Sequence, residues 1–358
     1  MTAPLDGING IDGDDRARAR AVLEAHWRPQ LGYTVPHAET YPFQWLWDSC
    51  FHAVAWARLG DERAVTELAS VFRWQTVGGF VPHIGYQADP GFHADFWGRT
   101  HASVLTQPPM YGHAVAELRR HGVAVPDELV ERARRGIRWL LAHRRRGHRL
   151  VICHPWESGC DDSPQWDAWC QGGWTPQRWY DCKGEFVRSL VLDAEGAAVA
   201  NPAFEAPSLG FTALVVFNAR ELGMDDAELD ELDLTPPAVP ATLDELLATL
   251  VRPDPALLDL ALDDRVFGGA CGLAFVRRDH PAFDPDTYWR GSAWPQLDYL
   301  LWVAARLGGH TAAAADIATR ARRGALTSGL AEHWNPDTGA ALGAAPQSWT
   351  ALCLLLDE

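Results

Sequence analysis

The chain has 358 residues, 47% of them hydrophobic and 22% charged, a balance that suits a folded protein with a large core and excludes an unfolded one. Its 47 acidic and 31 basic residues leave a formal net charge of −16, which excludes a surface built for nucleic-acid phosphates or an anionic membrane. The opening MTAPLDGINGIDGDD is acidic where a secretory leader needs a basic start and an apolar run, no apolar stretch is long enough to span a bilayer, and seven cysteines, an odd number, suit reduced thiols, so a cytoplasmic protein is expected.

In chain order, a first helix is expected over Asp14–Trp27, acidic at its start and apolar at three- and four-residue spacing. GYTVPHAETYPFQ reads as extended and leads into Trp45–Leu59, a helix apolar on nearly every side and therefore buried. Gly60-Asp61 breaks it, and Glu62–Gln75 begins another. A long loop rich in glycine, proline and aromatics, VGGFVPHIGYQADPGFHADFWGR, follows. Helices are expected over His101–Arg120 and Pro126–Arg145, with the basic run His143–Arg149 sitting where positive charge favours a helix end. Residues 150–205 show little periodicity and hold HPWESGCDDSPQWDAW, then WTPQRWYDCKGEF and the exposed-looking VLDAEGAAVANP. Helices resume at Ser208–Leu222 and Leu243–Leu250, across an acidic, proline-rich connector, and at Pro255–Leu262. After the loop FGGACGLAFVRRDHPAFDPDTYWRG come Ser292–Leu307, Thr311–Ser328 and Gln347–Leu356. Only FVPHIGY and HRLVICHP read as short extended pieces.

The expectation is therefore an all-α single domain over residues 1–358, with loop or lid insertions around 77–100, 150–205 and 263–291. Long loops after alternate helices suit a closed ring of helical hairpins with the loops gathered at one end; an irregular bundle is the alternative.

His154–Trp169 packs four acids and three tryptophans into one short segment. Seventeen tryptophans in all supply flat apolar platforms of the kind that stack on sugar rings. Inverting cleavage of a glycosidic bond needs a protonated carboxyl for the leaving oxygen and a second carboxylate for the attacking water, about 6.5–9.5 Å apart. Asp161 follows the turn residue Gly159 and is flanked by Trp156, Trp166 and Trp169. Asp162 competes with it, or caps the helix that SPQWDAW suggests; Glu157 could orient the acid, and Asp167 falls inside the suggested helix. Glu332 in AEHWNPDTG sits at the lip of a loop and is the distant partner. His52, His83, His93, His101 and His113 are too scattered for a metal site, Asp95 with Asp284 and Asp286 lacks a calcium-loop pattern, and no nucleotide fingerprint occurs, so neither metal nor cofactor is expected.

WESGCDDSPQW resembles the ESGxDNSPxW signature of the helical-barrel glycoside hydrolases that include trehalases and the family-63 enzymes. YPFQWLWDSCFHAVAW, YWRGSAWPQLDYLLW and EHWNPDTGAALGAAPQSWTALCLL resemble three further elements of that group, in the same order and across almost the whole chain. The likeness is greatest to the compact bacterial mannosylglycerate and glucosylglycerate hydrolases. It implies an (α/α)6 barrel and an inverting mechanism, with Asp161 as general acid and Glu332 as general base. It also implies that Tyr41, Trp45, Asp48 and Gln107 line the sugar subsite, that Tyr288, Trp289, Arg290 and Trp294 belong to a loop closing over the substrate, and that Gln347 contacts the sugar's other end. Arg290 is the basic group expected to hold a glycerate carboxylate, with a structural ion pair as the other reading. The chain departs from the signature in having Asp162 where asparagine is usual, a like charge that would help keep a proton on Asp161, and in a short 180–210 region. The partner implied is a small-molecule sugar such as glucosylglycerate or mannosylglycerate; a trehalase-like or other α-glucosidase activity, or a sugar isomerase or epimerase on the same fold, is the alternative. Nothing in the chain specifies an oligomeric state.

Overall fold

The structure, a computed structural model, describes residues 15–225 and 227–356; Asp14 and the acidic opening stretch lie outside them. The described chain is mostly helical. In order the helices are α1 (Asp15–His26), α2 (Leu46–Arg58), α3 (Arg63–Val71), the single turn α4 (Ala94–Trp97), α5 (Tyr111–Arg120), α6 (Asp127–Arg144), α7 (Pro176–Arg188), α8 (Leu209–Glu221), the single turn α9 (Ala227–Asp230), α10 (Pro255–Leu262), α11 (Pro295–Leu307) and α12 (Thr311–Thr327). Leu243–Leu250 and Ser348–Leu354, expected as helices, wind as tighter 3-10 helices.

Six of these segments carry the core. α2 packs on α5, α5 on α8, α8 on Leu243–Leu250, that segment on α11, α11 on Ser348–Leu354, and Ser348–Leu354 returns to α2. Their sequences explain the placement. All of α2 but its last residue is buried, as are eleven consecutive residues in both α8 and α11. Helices this apolar on every side need protein all round them. The outer helices are one-sided by comparison: α3 leans on α2 and α5, α6 on α5 and α8, α12 on α11 and Ser348–Leu354, and α1 on Ser348–Leu354 and α2.

Local signals set the helix starts. Ser208 accepts the Phe211 N–H ahead of α8, and Thr175 accepts the Arg178 N–H ahead of α7, whose first residue is Pro176. α7 is unforeseen by periodicity because only Trp179 and Phe186 of its thirteen residues are buried and Gly184, a poor helix former, falls within it. The helix expected over His101–Arg120 starts only at Tyr111. Pro108 and Pro109 lack N–H groups and force the preceding residues to be extended, which cuts the expected helix in half. The extended pieces appear as expected: Ile84–Gly85 pairs antiparallel with Gln44–Trp45, and Arg149–Ile152 with Arg145–Arg146 and Ala206–Pro207. No helix among the described residues is long and apolar enough to cross a membrane.

Candidate active site

The loops that enter α2, α5, α11 and Ser348–Leu354 meet beside the N-terminal ends of those four segments. A cavity of about 420 Å³ lies there. Tyr41, Trp45 and Asp48 come from the run into α2, Gln107 from the run into α5, and Tyr288, Trp289 and Trp294 from the run into α11. Glu332, Gln347 and Trp349 come from the closing segment, and Asp161 from the acidic-aromatic loop. Of the site residues that the motif resemblance implied, all but Arg290 border this space. Trp156, expected to flank Asp161, borders it as well, and so do Trp47, Tyr180, Lys183 and Trp349, which were unforeseen. Tyr180 and Lys183 went unseen because α7 did; the Thr175-Pro176 start was the available signal.

Asp161 is held through its backbone. Gly159 adopts φ +74°, and a Cβ there would run into the Trp47 ring, so the turn needs glycine on both counts. The indole N–H of Trp166 donates to the Cys160 carbonyl at 2.9 Å and that of Trp179 to the Asp161 carbonyl at 3.0 Å. The other three acids of the loop are each tied to a cation. Glu157 accepts from Arg144 at 2.6 Å, both fully buried, and from the Cys153 N–H at 2.7 Å. Asp162 accepts from Lys183 at 2.6 Å, and Asp167 takes both terminal nitrogens of Arg290 at 2.6 and 2.8 Å. Among the described residues Asp161 alone of the four has no ion pair. Burial pushes its carboxyl up to about 7, Lys183 opposes the rise, and Asp162 and Glu332 add to it.

Three expectations change here. Asp162 does not cap the helical segment Pro164–Trp169; Ser163 does, accepting the Gln165 N–H at 3.3 Å. Glu157 orients the loop rather than the Asp161 carboxyl. Arg290 is spent on Asp167, with its guanidinium 3.8 Å from the Trp174 ring centre, and so follows the structural ion-pair reading. The basic run is likewise consumed: beyond Arg144, Arg145 pairs with Glu231, Arg146 with Glu205 and Arg149 with Asp233.

Glu332 is buried and accepts the Tyr41 hydroxyl at 3.1 and 3.3 Å and the Ala344 N–H at 3.1 Å. Gly343, at φ +69°, leaves no room for a Cβ beside it. Burial raises the Glu332 carboxyl, while these two donors hold the rise back. Asp48, in the first turn of α2, is pushed well above the ordinary range by burial and by the nearby Glu332 and Asp161.

The third wall is a stack. Trp289 lies flat on Trp294 with centroids 3.7 Å apart, and Trp294 lies flat on His333 at 4.4 Å. Trp289 holds φ +55°, a strained conformation for a bulky residue, at the cavity's edge. Around the cavity, Gln107 Oε1, Gln347 Oε1 and the indole N–H groups of Trp45, Trp289 and Trp294 are buried without a protein partner. Buried polar atoms need partners, and a polyhydroxylated ligand offers them. The arrangement can stack a sugar ring, bind its hydroxyls and place carboxyls with different hydrogen-bond partners beside it.

A second space of about 540 Å³ adjoins the first and shares Tyr41, Trp45, Gln107, Trp156, Asp161 and Tyr180 with it. It reaches Asp161 but not Glu332.

A sequence profile described as the mannosylglycerate hydrolase MGH1-like glycoside hydrolase domain matches residues 41–231 and 237–350. The chain is 28% identical to a mannosylglycerate hydrolase of Thermus thermophilus, covering 94% of this chain and 99% of the relative. It is 30% identical to the glucosylglycerate hydrolase of Mycolicibacterium hassiacum, covering 88% and 91%. The crystal structure of a family-63 mannosylglycerate hydrolase from Thermus thermophilus in complex with Tris superimposes with a TM-score of 0.78 at 26% identity, over 95% of this chain and 99% of that one.

Proposed function

The chain belongs to the mannosylglycerate hydrolase MGH1-like glycoside hydrolases, and on that premise we propose that it cleaves a small α-glycoside with inversion, using Asp161 as acid and Glu332 as base. It is a glycoside hydrolase; the roles of its residues are inferred here. One observation carries the assignment: of four acids in one loop, the three others are neutralised by Arg144, Lys183 and Arg290, and Asp161 is left unpaired and raised to about 7. A carboxyl so placed keeps its proton near neutral pH and can deliver it to a leaving oxygen. Glu332, hydrogen-bonded by Tyr41 and Ala344, suits the opposite task. As the bond from the anomeric carbon to the glycosidic oxygen breaks, that oxygen takes the Asp161 proton. A water on the other face of the sugar loses its proton to Glu332 and forms the new bond to the anomeric carbon. The products are the free sugar, inverted at that carbon, and the alcohol; solvent exchange returns the two carboxyls to their starting states.

Tyr41, Trp45, Asp48, Gln107, Tyr288, Trp289, Trp294 and Gln347 form the sugar subsite in this reading, which their position around one cavity supports. The closed order of the six inner segments supports a single-domain (α/α)6 barrel. Seven cysteines, all unbridged, suit a reducing cytoplasm, and the partner is a small sugar derivative. Relatives named as mannosylglycerate and glucosylglycerate hydrolases make those two compounds the first to try. Following α-glucosides and α-mannosides by proton NMR tests the reading. The β-anomer of the freed sugar should appear first and then mutarotate. Initial release of the α-anomer, or hydrolysis of neither series, would overturn it.

A further inference from the structure

Resting on that hydrolase reading, we propose that the leaving-alcohol half of the substrate is an uncharged, ring-bearing group seated in the aromatic chamber beside Asp161. The chamber's side of the reaction follows from the assignment of the acid. A proton donor faces the leaving oxygen, so the space that touches Asp161 and not Glu332 is where the departing group lies.

The walls of that space define the occupant. Phe43, Tyr86, Phe92, Phe96, Trp97 and Trp156 surround it as one connected aromatic cluster. Phe43 lies 4.7 Å from Phe92 and 5.0 Å from Tyr86, Phe96 lies 4.7 Å from Trp97, and Trp97 lies 6.2 Å from Trp156, centroid to centroid. The Trp97 indole N–H donates to the Tyr86 hydroxyl at 2.8 Å, which fixes both rings. Phe92 and Phe96 remain 43% and 42% exposed, so two large apolar faces stand open at the mouth with nothing among the described residues to cover them.

Charge points the same way. Among the described residues, no lysine or arginine borders the chamber. His83, buried in its wall with burial pushing its imidazole down to about 3, is neutral. The carboxyls that border it, Glu39 and Asp161 once deprotonated, are of the sign that repels a carboxylate; besides His83, the one lining group among the described residues able to carry positive charge is His93. Lys183 borders the sugar cavity and is neutralised by Asp162 at 2.6 Å, and Arg188 borders a further space that shares Phe96, Trp156 and Tyr180, where it lies 3.9 Å from Glu185. Arg290 is closed off by Asp167. Flat apolar faces without a fixed cation suit a second sugar ring, presenting its C–H face, or an aryl ring, and disfavour glycerate.

The test uses one sugar, whichever the NMR assay favours, α-linked in turn to glycerate, glycerol, a second pyranose and 2-phenylethanol, and compares kcat/KM with purified full-length protein. A ring-bearing alcohol should exceed glycerate by at least about tenfold; whether the pyranose or the phenyl compound leads identifies the ring. Phe96→Ala should lower the ratio of ring to glycerol substrate by about tenfold, since losing an aromatic contact of this size costs on that order. A glycerate substrate that outperforms the ring substrates, or a ratio unmoved by Phe96→Ala, would overturn the proposal while leaving the hydrolase reading intact. Hydrolysis of none of the four would overturn the hydrolase reading itself, and the proposal with it.

Discussion

At the scale of single residues, what separates Asp161 from its neighbours is the company each keeps. Glu157, Asp162 and Asp167 look as eligible in the sequence, and only contacts made across the fold by Arg144, Lys183 and Arg290 remove them. Those partners lie from 13 to 123 residues away in the chain, so local spacing could not reveal them. The same distance explains why Arg290 was expected to meet a substrate carboxylate. Replacing Asp161 with Asn or Glu332 with Gln should each lower kcat by about 10²–10⁴-fold, the range set by loss of acid–base catalysis, with the circular dichroism spectrum unchanged; ordinary turnover in either variant would remove that residue from its role. Activity should fall on the alkaline side as Asp161 loses its proton near pH 7. Because Lys183 holds that value down and Asp162 holds it up, Lys183→Met should move the alkaline limb of the kcat/KM profile upward and Asp162→Asn should move it downward. A limb that shifts the other way in either variant would mean that another group governs it. The stability sign follows from the same raised value. The folded state binds the Asp161 proton more tightly than the unfolded chain does, so this residue's contribution is greatest below the unfolded value and is lost as pH rises through about 7. Asp161→Asn should therefore raise Tm more at about pH 8 than at about pH 4, by calorimetry.

At the scale of elements, the loop that carries Asp161 is anchored by a pair it does not contain in full. Arg144 is the last residue of α6, where basic residues were expected for the sake of the helix end, yet its side chain is fully buried against Glu157. Glu157→Gln would leave an uncompensated guanidinium in the interior and weaken the hold on Cys153 and Thr106, whose N–H groups it also accepts. The expected cost is about 3–5 kcal/mol, the range for a broken buried pair, read as a fall in the urea midpoint together with a fall in kcat. A variant as stable as the parent would show that the pair contributes nothing net. Helices with a continuous apolar surface, such as α2, α8 and α11, were legible to within a few residues because no other structure suits such a run. The half-exposed α7 was not, and with it went Tyr180 and Lys183.

At the scale of the whole molecule, residues as far apart as Pro36 and Trp349 meet at one mouth because the runs into α2, α5, α11 and Ser348–Leu354 open on it. Spacing alone suggested long loops at one end, and the resemblance of four separated motifs supplied the order. What neither supplied was the second, aromatic space, since Phe43, Phe92 and Phe96 sit in stretches without helical period and are brought together by the pairing of Gln44–Trp45 with Ile84–Gly85. At the opposite end, Arg58, the last residue of α2, accepts through its carbonyl from Arg16 of α1 at 2.8 Å and donates to the Leu355 carbonyl at 2.9 Å. One side chain and its own backbone thus touch both extremities of the described chain, a full helix length away from Asp48 and the cavity. A ring joined there has no obligatory first member. Linking the two extremities with a short Gly-Ser segment and reopening the chain between Ala238 and Val239, in the exposed connector, should yield a circular permutant with the parent's helical content and kcat. Synthesis order would then be a convention of the gene, and the mouth lined by Asp161 and Glu332 a property of the circle.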